Sequence, residues 1–276
     1  MLIDAVMRKV PLLFLLVINF CSTAFTQHKV HLKVGYLPGH SYIEKADQIT
    51  NIEMELKGSA ITANDEGPIK KGIVQHTEKE TSVGSYYNDS LFPIKTLLTK
   101  MTMAEGKAPI APGTILYSTG TKSGKRTLDS ISADGMDSEL KEKLFPLLQT
   151  VIKAANIPEH NFKVGESFSF ETPINLPVAG MILNFVMKTT YTLKSATGSI
   201  AYFDIALVYT IQSESVSIPV TATGNGSGSM TYDINNNYYT SFEINENLSM
   251  NMSMEDRSMK MKMESTSIQK AAVSKN

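Results

Sequence analysis

The sequence has very little cysteine and no tryptophan: of its 276 residues, one is Cys and none is Trp. One thiol cannot form an internal disulfide or a cysteine-rich zinc site, so both kinds of scaffold are excluded. The chain also lacks an excess of charge, since 26 Lys and Arg residues stand against 27 Asp and Glu residues. This balance predicts no nucleic-acid partner. With 42% apolar residues, the composition is that of a globular protein.

Residues 1–26 have the three parts of a secretory signal peptide. A basic pair precedes an apolar core at residues 10–20, and Ala24 and Thr26 place small residues at the −3 and −1 positions of a cleavage site. The core is too short to cross a membrane, which takes about 20 residues. The sequence predicts cleavage before Gln27 and a mature chain without a transmembrane segment. That chain is expected in the periplasm, on the outer membrane surface or outside the cell.

Apolar and polar residues alternate through long segments of the remaining chain, which predicts strands with one buried face. The clearest segments are residues 52–56, 183–194, 201–211 and 238–252. Several exceed the usual strand length of about 5–6 residues. Long strands joined by short turns predict a large antiparallel sheet that curls. Residues 94–103 fit both the strand and the helix period, so their structure stays open.

One amphipathic helix is predicted between two strand-rich regions, at residues 137–156. Apolar residues follow helical spacing from Leu140 to Ile152, and Asp137 can cap the first turn. Pro146 lies inside this segment, which predicts a kink or a split into two helices. The apolar stripe is expected to pack on the curled sheet.

These elements predict a mainly β fold, a large curled antiparallel sheet or half-barrel with one kinked amphipathic helix packed on it. A single domain is expected over residues 27–268. Its strand-rich halves, at about 27–135 and 161–268, are joined by the helix. Residues 269–276 are expected to fray as a terminal tail.

The sequence contains no motif that is typical of catalysis or cofactor binding. Residues 120–126 have three rather than four residues between their glycines, so they fail the phosphate-loop pattern. Residues 224–228 lack the spacing of a nucleophile elbow. Cys21 lies in the predicted leader, which excludes thiol chemistry in the mature chain. We therefore predict a protein that is not an enzyme, with no catalytic residue, cofactor or assigned metal ligand.

Methionine is concentrated near the carboxyl end. Six methionines lie within residues 250–263, at every second position on both sides of a polar turn. A hairpin there would present all six thioethers on one face. Two interpretations stay open, because thioethers select Cu(I) as soft ligands and also line cores or cavities as flexible apolar groups.

Two short motifs follow the predicted helix and precede the predicted last hairpin. The first is Lys163-Val164-Gly165-Glu166-Ser167-Phe168, and the second runs from Gly226 to Asp233. With them, the chain resembles an uncharacterised family of exported Gram-negative envelope proteins, known only as a domain of unknown function. Its members carry K-V-G-[DE]-S-[FW] and G-x-G-x-[x]-x-[FY]-D at these places. The resemblance covers most of the predicted mature chain and implies no catalytic residues.

The predicted architecture is also similar, more distantly, to the lipoprotein-carrier half-barrel of the LolA and LppX type. In that fold a curled antiparallel sheet is closed by helices over an apolar cavity, so the resemblance implies an apolar ligand.

The function we predict is that of an exported, non-enzymatic envelope protein that binds an apolar ligand, such as a lipid, between sheet and helix. The residues expected to line the site are Leu183, Phe185, Phe203, Leu207, Met250, Met252 and Met261. One alternative is a Cu(I)-binding protein that uses the hairpin Met250–Met263, helped by His28 and His31. Another is a structural or adhesive surface protein with a filled core.

Overall fold

The computed structural model describes residues 29–58, 68–104, 108, 110–154, 156–178, 181–211, 219–254 and 257–276. The predicted signal peptide and His28 lie outside these ranges. The side chains of Leu183 and Met254 also lie outside the described part of the structure.

Thirteen strands and one helix form the described part of the chain. In chain order they are β1 (Val30–Leu32), β2 (His40–Gly58), β3 (Ile69–Val83), β4 (Leu91–Met103), β5 (Ile115–Thr121), β6 (Arg126–Ser132), α1 (Ser138–Ala154), β7 (His160–Phe162), β8 (Ser167–Val178), β9 (Met181–Thr197), β10 (Ile200–Ile211), β11 (Val220–Asp233), β12 (Tyr238–Met254) and β13 (Arg257–Lys275).

Eleven of these strands form one antiparallel sheet, in the order β6-β5-β4-β3-β2-β13-β12-β11-β10-β9-β8. Strands β2 to β6 make one meander and β8 to β13 make another, and the pairing of β2 with β13 joins the two. In the described residues, the edge strands β6 and β8 do not pair with each other. The remaining strands, β1 and β7, form a separate two-stranded sheet. The predicted mainly β fold with one large antiparallel sheet is confirmed.

The last strand extends further than the sequence predicted. Instead of fraying, residues 269–275 continue β13 and pair with β2, and the Asn276 N–H donates to the Gly39 carbonyl oxygen at 2.9 Å. Ala271 and Val273 keep the inward alternation and pack beside Tyr42, which is fully buried. Burial of these small apolar side chains, together with pairing to β2, keeps the end of the chain in the sheet.

The predicted helix is confirmed as α1, and it runs through Pro146 without a break. The Asp137 carboxylate accepts the Glu139 N–H at 3.1 Å, which caps the first turn. The helix packs mainly against β6, at one edge of the sheet, and leaves Leu147 and Val151 each 55% exposed. Among the described residues, no helix combines the length and the apolarity that crossing a membrane requires.

Strict alternation gives the large sheet a buried inner face and a polar outer face. On β10, four inward residues are buried, whereas Tyr202, Asp204, Ala206 and Val208 point outward and are exposed. The outer positions of β11, β12 and β13 carry mostly Thr, Asn, Ser, Lys and Glu. Such a face is typical of a sheet with one side in water.

The small sheet of β1 and β7 covers one end of the inner face. Val30, Leu32 and Phe162 are at most 1% exposed and pack in one cluster with Phe203 and Tyr232 of the large sheet. The Tyr232 hydroxyl also accepts the N–H of the residue after β1 at 3.1 Å. These contacts fix the small sheet on the inner face.

Glycines on the inner face of β11 let the neighbouring strands fill that face. Gly224, Gly226 and Gly228 stand opposite large residues of β12. A Cβ atom at Gly226 would lie 3.1 Å from the Leu207 Cδ1 atom of β10. A Cβ atom at Gly228 would overlap the backbone carbonyl oxygen of Glu243. Side chains from β10 and β12 therefore occupy the space above β11, and the sheet can bend there.

Replacing Gly228 with Ala should therefore destabilise the fold, because the backbone of β12 would have to move. We expect the free energy of unfolding, measured by urea denaturation, to fall by about 1–3 kcal/mol. The matched control is Gly72→Ala in β3, where the nearest atom to a new Cβ is Asn51 Oδ1 at 3.6 Å. That variant should keep its stability or gain up to about 1 kcal/mol. Equal stability of the two variants would contradict the steric explanation.

Candidate ligand cavity

A cavity of about 380 Å³ lies on the inner face of the large sheet. It is bounded on one side by β8, β9 and β10 and on the other by β2, β12 and β13. Its lining residues are Val34, Gln48, Ile157, Phe170, Met187, Thr189, Tyr191, Ile205, Leu207, Tyr239, Phe242, Ile244, Glu246, Ser267 and Gln269. The volume falls in the range of about 300–1,000 Å³ that is usual for small-molecule sites.

The two sides of the cavity differ in polarity. Strands β8 to β10 supply an apolar wall that includes Phe170, Met187 and Leu207. The Phe170 ring stacks nearly parallel to that of Tyr191, with centroids 6.1 Å apart. Strands β2, β12 and β13 supply a polar wall formed by Gln48, Glu246, Ser267 and Gln269, beside the apolar Phe242 and Ile244 of β12. The cavity is therefore amphipathic.

Glu246 places a carboxylate on the inner face between two buried apolar residues, Ile244 and Leu248. The Tyr209 hydroxyl donates a hydrogen bond of 2.5 Å to its Oε1 atom. Burial, and then the carboxylate beside it, raise the pKa of Tyr209 far above its ordinary value of 10.0. The phenol therefore stays protonated and available as a donor.

An ion pair with a buried carboxylate lies next to the cavity. The Lys79 Nζ atom is 2.8 Å from the Glu44 Oε2 atom. The Tyr36 hydroxyl donates to the other carboxylate oxygen of Glu44 at 3.0 Å. Tyr239, which lines the cavity, places its hydroxyl 3.3 Å from Glu44 Oε2 and 3.0 Å from Gln269 Oε1. The polar wall is thus continuous with a hydrogen-bonded network.

The charge state of Glu44 follows from two opposed effects. Burial disfavours the carboxylate, but attraction to Lys79 and the hydrogen bonds from Lys79 and Tyr36 outweigh it and lower the pKa of Glu44 below its ordinary value of 4.5. Glu44 therefore stabilises the fold above pH 4.5, and this contribution is lost as the pH falls through the lowered pKa.

The structure distributes the predicted site residues over different parts of the inner face. Leu207 lines the cavity, whereas Phe203 packs under the small sheet. The other described residues lie in a methionine cluster at the opposite end of the face. Its members are Phe185, Ala222, Leu248, Met250, Met252 and Met259, with Met54, Met261 and Met263 partly buried beside them.

The cavity does not lie between sheet and helix as predicted. None of the described residues of α1 lines it. Val34, which follows β1, and Ile157, which follows α1, cover it instead. The reason is that α1 packs on the edge strand β6, while the segments that flank the small sheet cross the inner face.

Sequence reasoning missed the polar wall, although one signal was present. In the segment 238–252, the inward positions Phe242, Ile244, Leu248 and Met250 are apolar, and Glu246 interrupts them. A single acid among apolar inward residues indicates a polar patch on that face of the sheet.

The predicted methionine hairpin is confirmed by the register of β12 and β13. Met250 pairs with Met261, and Met252 pairs with Met259. Met261 also pairs with Met54 of β2, so three methionines stand in one row across three adjacent strands. His31 lies apart from them in β1, where it contacts Asn161 and Glu159. No group of three or more His, Cys, Asp or Glu residues in the described ranges is placed to hold a metal ion.

Replacing Glu44 with Gln should reduce stability at pH 7 and flatten its acid dependence. We expect a loss of about 2 kcal/mol, less than for a fully buried pair, because the Lys79 side chain is 35% exposed. The free energy of unfolding should fall less steeply below pH 4.5 than in the unmodified protein. Urea denaturation at several pH values measures both effects, with the exposed Glu264→Gln on β13 as control. The same acid dependence in Glu44→Gln and in the unmodified protein would refute the role of this pair.

No known protein family matches the chain, and no curated protein matches it. Among solved structures, it is similar to the outer membrane protein OprG from Pseudomonas aeruginosa, with 8% sequence identity. The match covers 88% of this chain and 99% of that one, at a TM-score of 0.23. A likeness at this level assigns neither a fold nor a function to this chain.

Proposed function

We propose that the protein is an exported, non-enzymatic envelope protein that binds an apolar small molecule, such as a lipid, on the inner face of its sheet. The observation that carries the proposal is the cavity of about 380 Å³ with its apolar wall. The signal-peptide pattern of residues 1–26 supports export. We also propose that the protein is related to the uncharacterised envelope family and, more distantly, to the lipoprotein carriers.

The shape of the inner face favours a ligand over a purely structural role. A structural protein would gain stability by filling the space between Phe170, Met187 and Leu207, because close packing of apolar side chains is favourable. Here the small sheet fills only one end of the face. Apolar surface that stays open in the middle is a surface that an apolar molecule can cover favourably.

The methionine row supports a second candidate function, Cu(I) binding. Neighbouring strands are about 4.8 Å apart, so Met250, Met261 and Met54 bring three thioethers to one part of the inner face. Met250 is only 1% exposed and packs with Phe185, which is also the arrangement of an apolar core. Experiments must therefore separate the two candidates.

Filling the cavity should abolish ligand binding. In Leu207→Trp the larger side chain enters the cavity, and we expect the affinity for the neutral apolar dye 1-N-phenylnaphthylamine to fall at least about tenfold. Val208→Trp is the matched control, because Val208 is the next residue of β10, points outward and is 50% exposed. Dye fluorescence measures binding, and circular dichroism checks the fold of both variants. Equal affinity of both variants for the dye, or no binding by the unmodified protein, would contradict the proposal.

For the copper candidate, the decisive substitution is Met261→Leu, at the centre of the methionine row. It keeps the volume and removes one thioether, so Cu(I) binding should be lost while dye binding stays unchanged. Met230→Leu is the control, since Met230 is buried in the cluster with Phe203 and Tyr232, away from the methionine row. Anaerobic competition with a chromogenic Cu(I) chelator measures the affinity. If the unmodified protein does not compete with the chelator, the copper candidate is rejected.

A further inference from the structure

We infer that the ligand of the inner-face cavity carries a protonated amine, which binds the carboxylate of Glu246. This inference rests on the proposed function, because it names the chemical class of the ligand of the same cavity. The amine would lie against the polar wall, and the apolar part of the ligand would lie against Phe170, Met187 and Leu207.

The first observation is the position of Glu246. Among the residues that line the cavity in the described structure, it is the only one with a carboxylate or a basic group. Its neighbours at inward positions of β12, Ile244 and Leu248, are 5% and 6% exposed. On the adjacent strand stands Gly226, where a Cβ atom would come within 3.2 Å of the Glu246 Cγ atom. The backbone therefore leaves room for this acid on an otherwise apolar part of the strand.

The second observation is that Glu246 lacks a counter-charge. In the described residues, no Lys, Arg or His nitrogen lies within 4.0 Å of its carboxylate. The contrast is Glu44, an acid buried on the same face, which has Lys79 at 2.8 Å. Glu246 has the Tyr209 hydroxyl, which satisfies one of about four acceptor sites of a carboxylate. The remaining acceptor sites are available to a ligand.

The polar groups of the cavity favour some amphiphile headgroups over others. A protonated amine adds the attraction between opposite charges to its hydrogen bond with a carboxylate, whereas a neutral hydroxyl offers the hydrogen bond alone. A carboxylate or phosphate headgroup would face the like charge of Glu246 and be repelled. The Ser267 hydroxyl and the Gln269 amide on the same wall can accept further N–H groups. An alkylammonium thus matches both walls, whereas a fatty acid matches only the apolar one.

The test uses three ligands with one chain length and different headgroups. Decylammonium, decanol and decanoate, each below its micelle-forming concentration at pH 7, compete with 1-N-phenylnaphthylamine for the protein. We expect decylammonium to bind about tenfold more tightly than decanol, and decanoate to bind most weakly. In Glu246→Gln the affinity for decylammonium should fall about tenfold, to that of decanol, while the affinity for decanol stays the same. Glu243→Gln, the same change on the outer face of β12, should alter none of the three.

The outcomes separate this inference from the proposed function. Equal affinities for decylammonium and decanol, or an unchanged preference in Glu246→Gln, would overturn the inference and leave the apolar cavity as a binding site. Failure of the unmodified protein to bind the dye or any of the three amphiphiles would overturn the proposed function itself. The comparison of headgroups on the unmodified protein decides the matter even if Glu246→Gln does not fold.

Discussion

The pairing of β2 with β13 sets the alignment of the whole large sheet. These strands come from opposite ends of the described chain, and 19 residue pairs align them in the middle of the sheet. Their register joins the two meanders and brings Gln48 opposite Ser267, and Met54 opposite Met261. The polar wall of the cavity and the methionine row both follow from this alignment. Moving β13 by one residue against β2 would turn Ser267 and Met261 to the outer face.

The inner face changes character along the strands. At one end the small sheet buries Leu32 and Phe162 completely, and at the other end the methionine cluster forms an adaptable apolar surface. Between them lie the cavity, Glu246 and the ion pair of Glu44 and Lys79. Buried charges are tolerated only where partners satisfy them. Glu44 is buried and has its partner within the chain, whereas Glu246 is partly buried at the cavity, and we infer that its partner is a ligand.

Local patterns predicted much of this fold, and long-range pairing accounts for what they missed. Alternation predicted the long strands, and the spacing of methionines predicted the hairpin of β12 and β13. Residues 94–103 fitted two periods because an irregularity in the pairing of β3 with β4 shifts the alternation near Thr99. The sequence alone could not show that the last residues pair with β2, far away in the chain. Nor could it show which inward residues face a cavity. Alternation along a strand tells on which face of the sheet a side chain lies, but not which other side chains lie near it.

Native mass spectrometry of the chain purified gently from its own host would show whether the inner face holds a small molecule. We expect the polypeptide with an additional mass of several hundred daltons, which extraction with organic solvent removes. The extracted molecule should contain an amine. A bare polypeptide mass, under conditions that preserve other weakly bound ligands, would show that the inner face holds no small molecule. An added mass equal to that of a copper ion, in place of an organic molecule, would instead support Cu(I) binding at the methionine row.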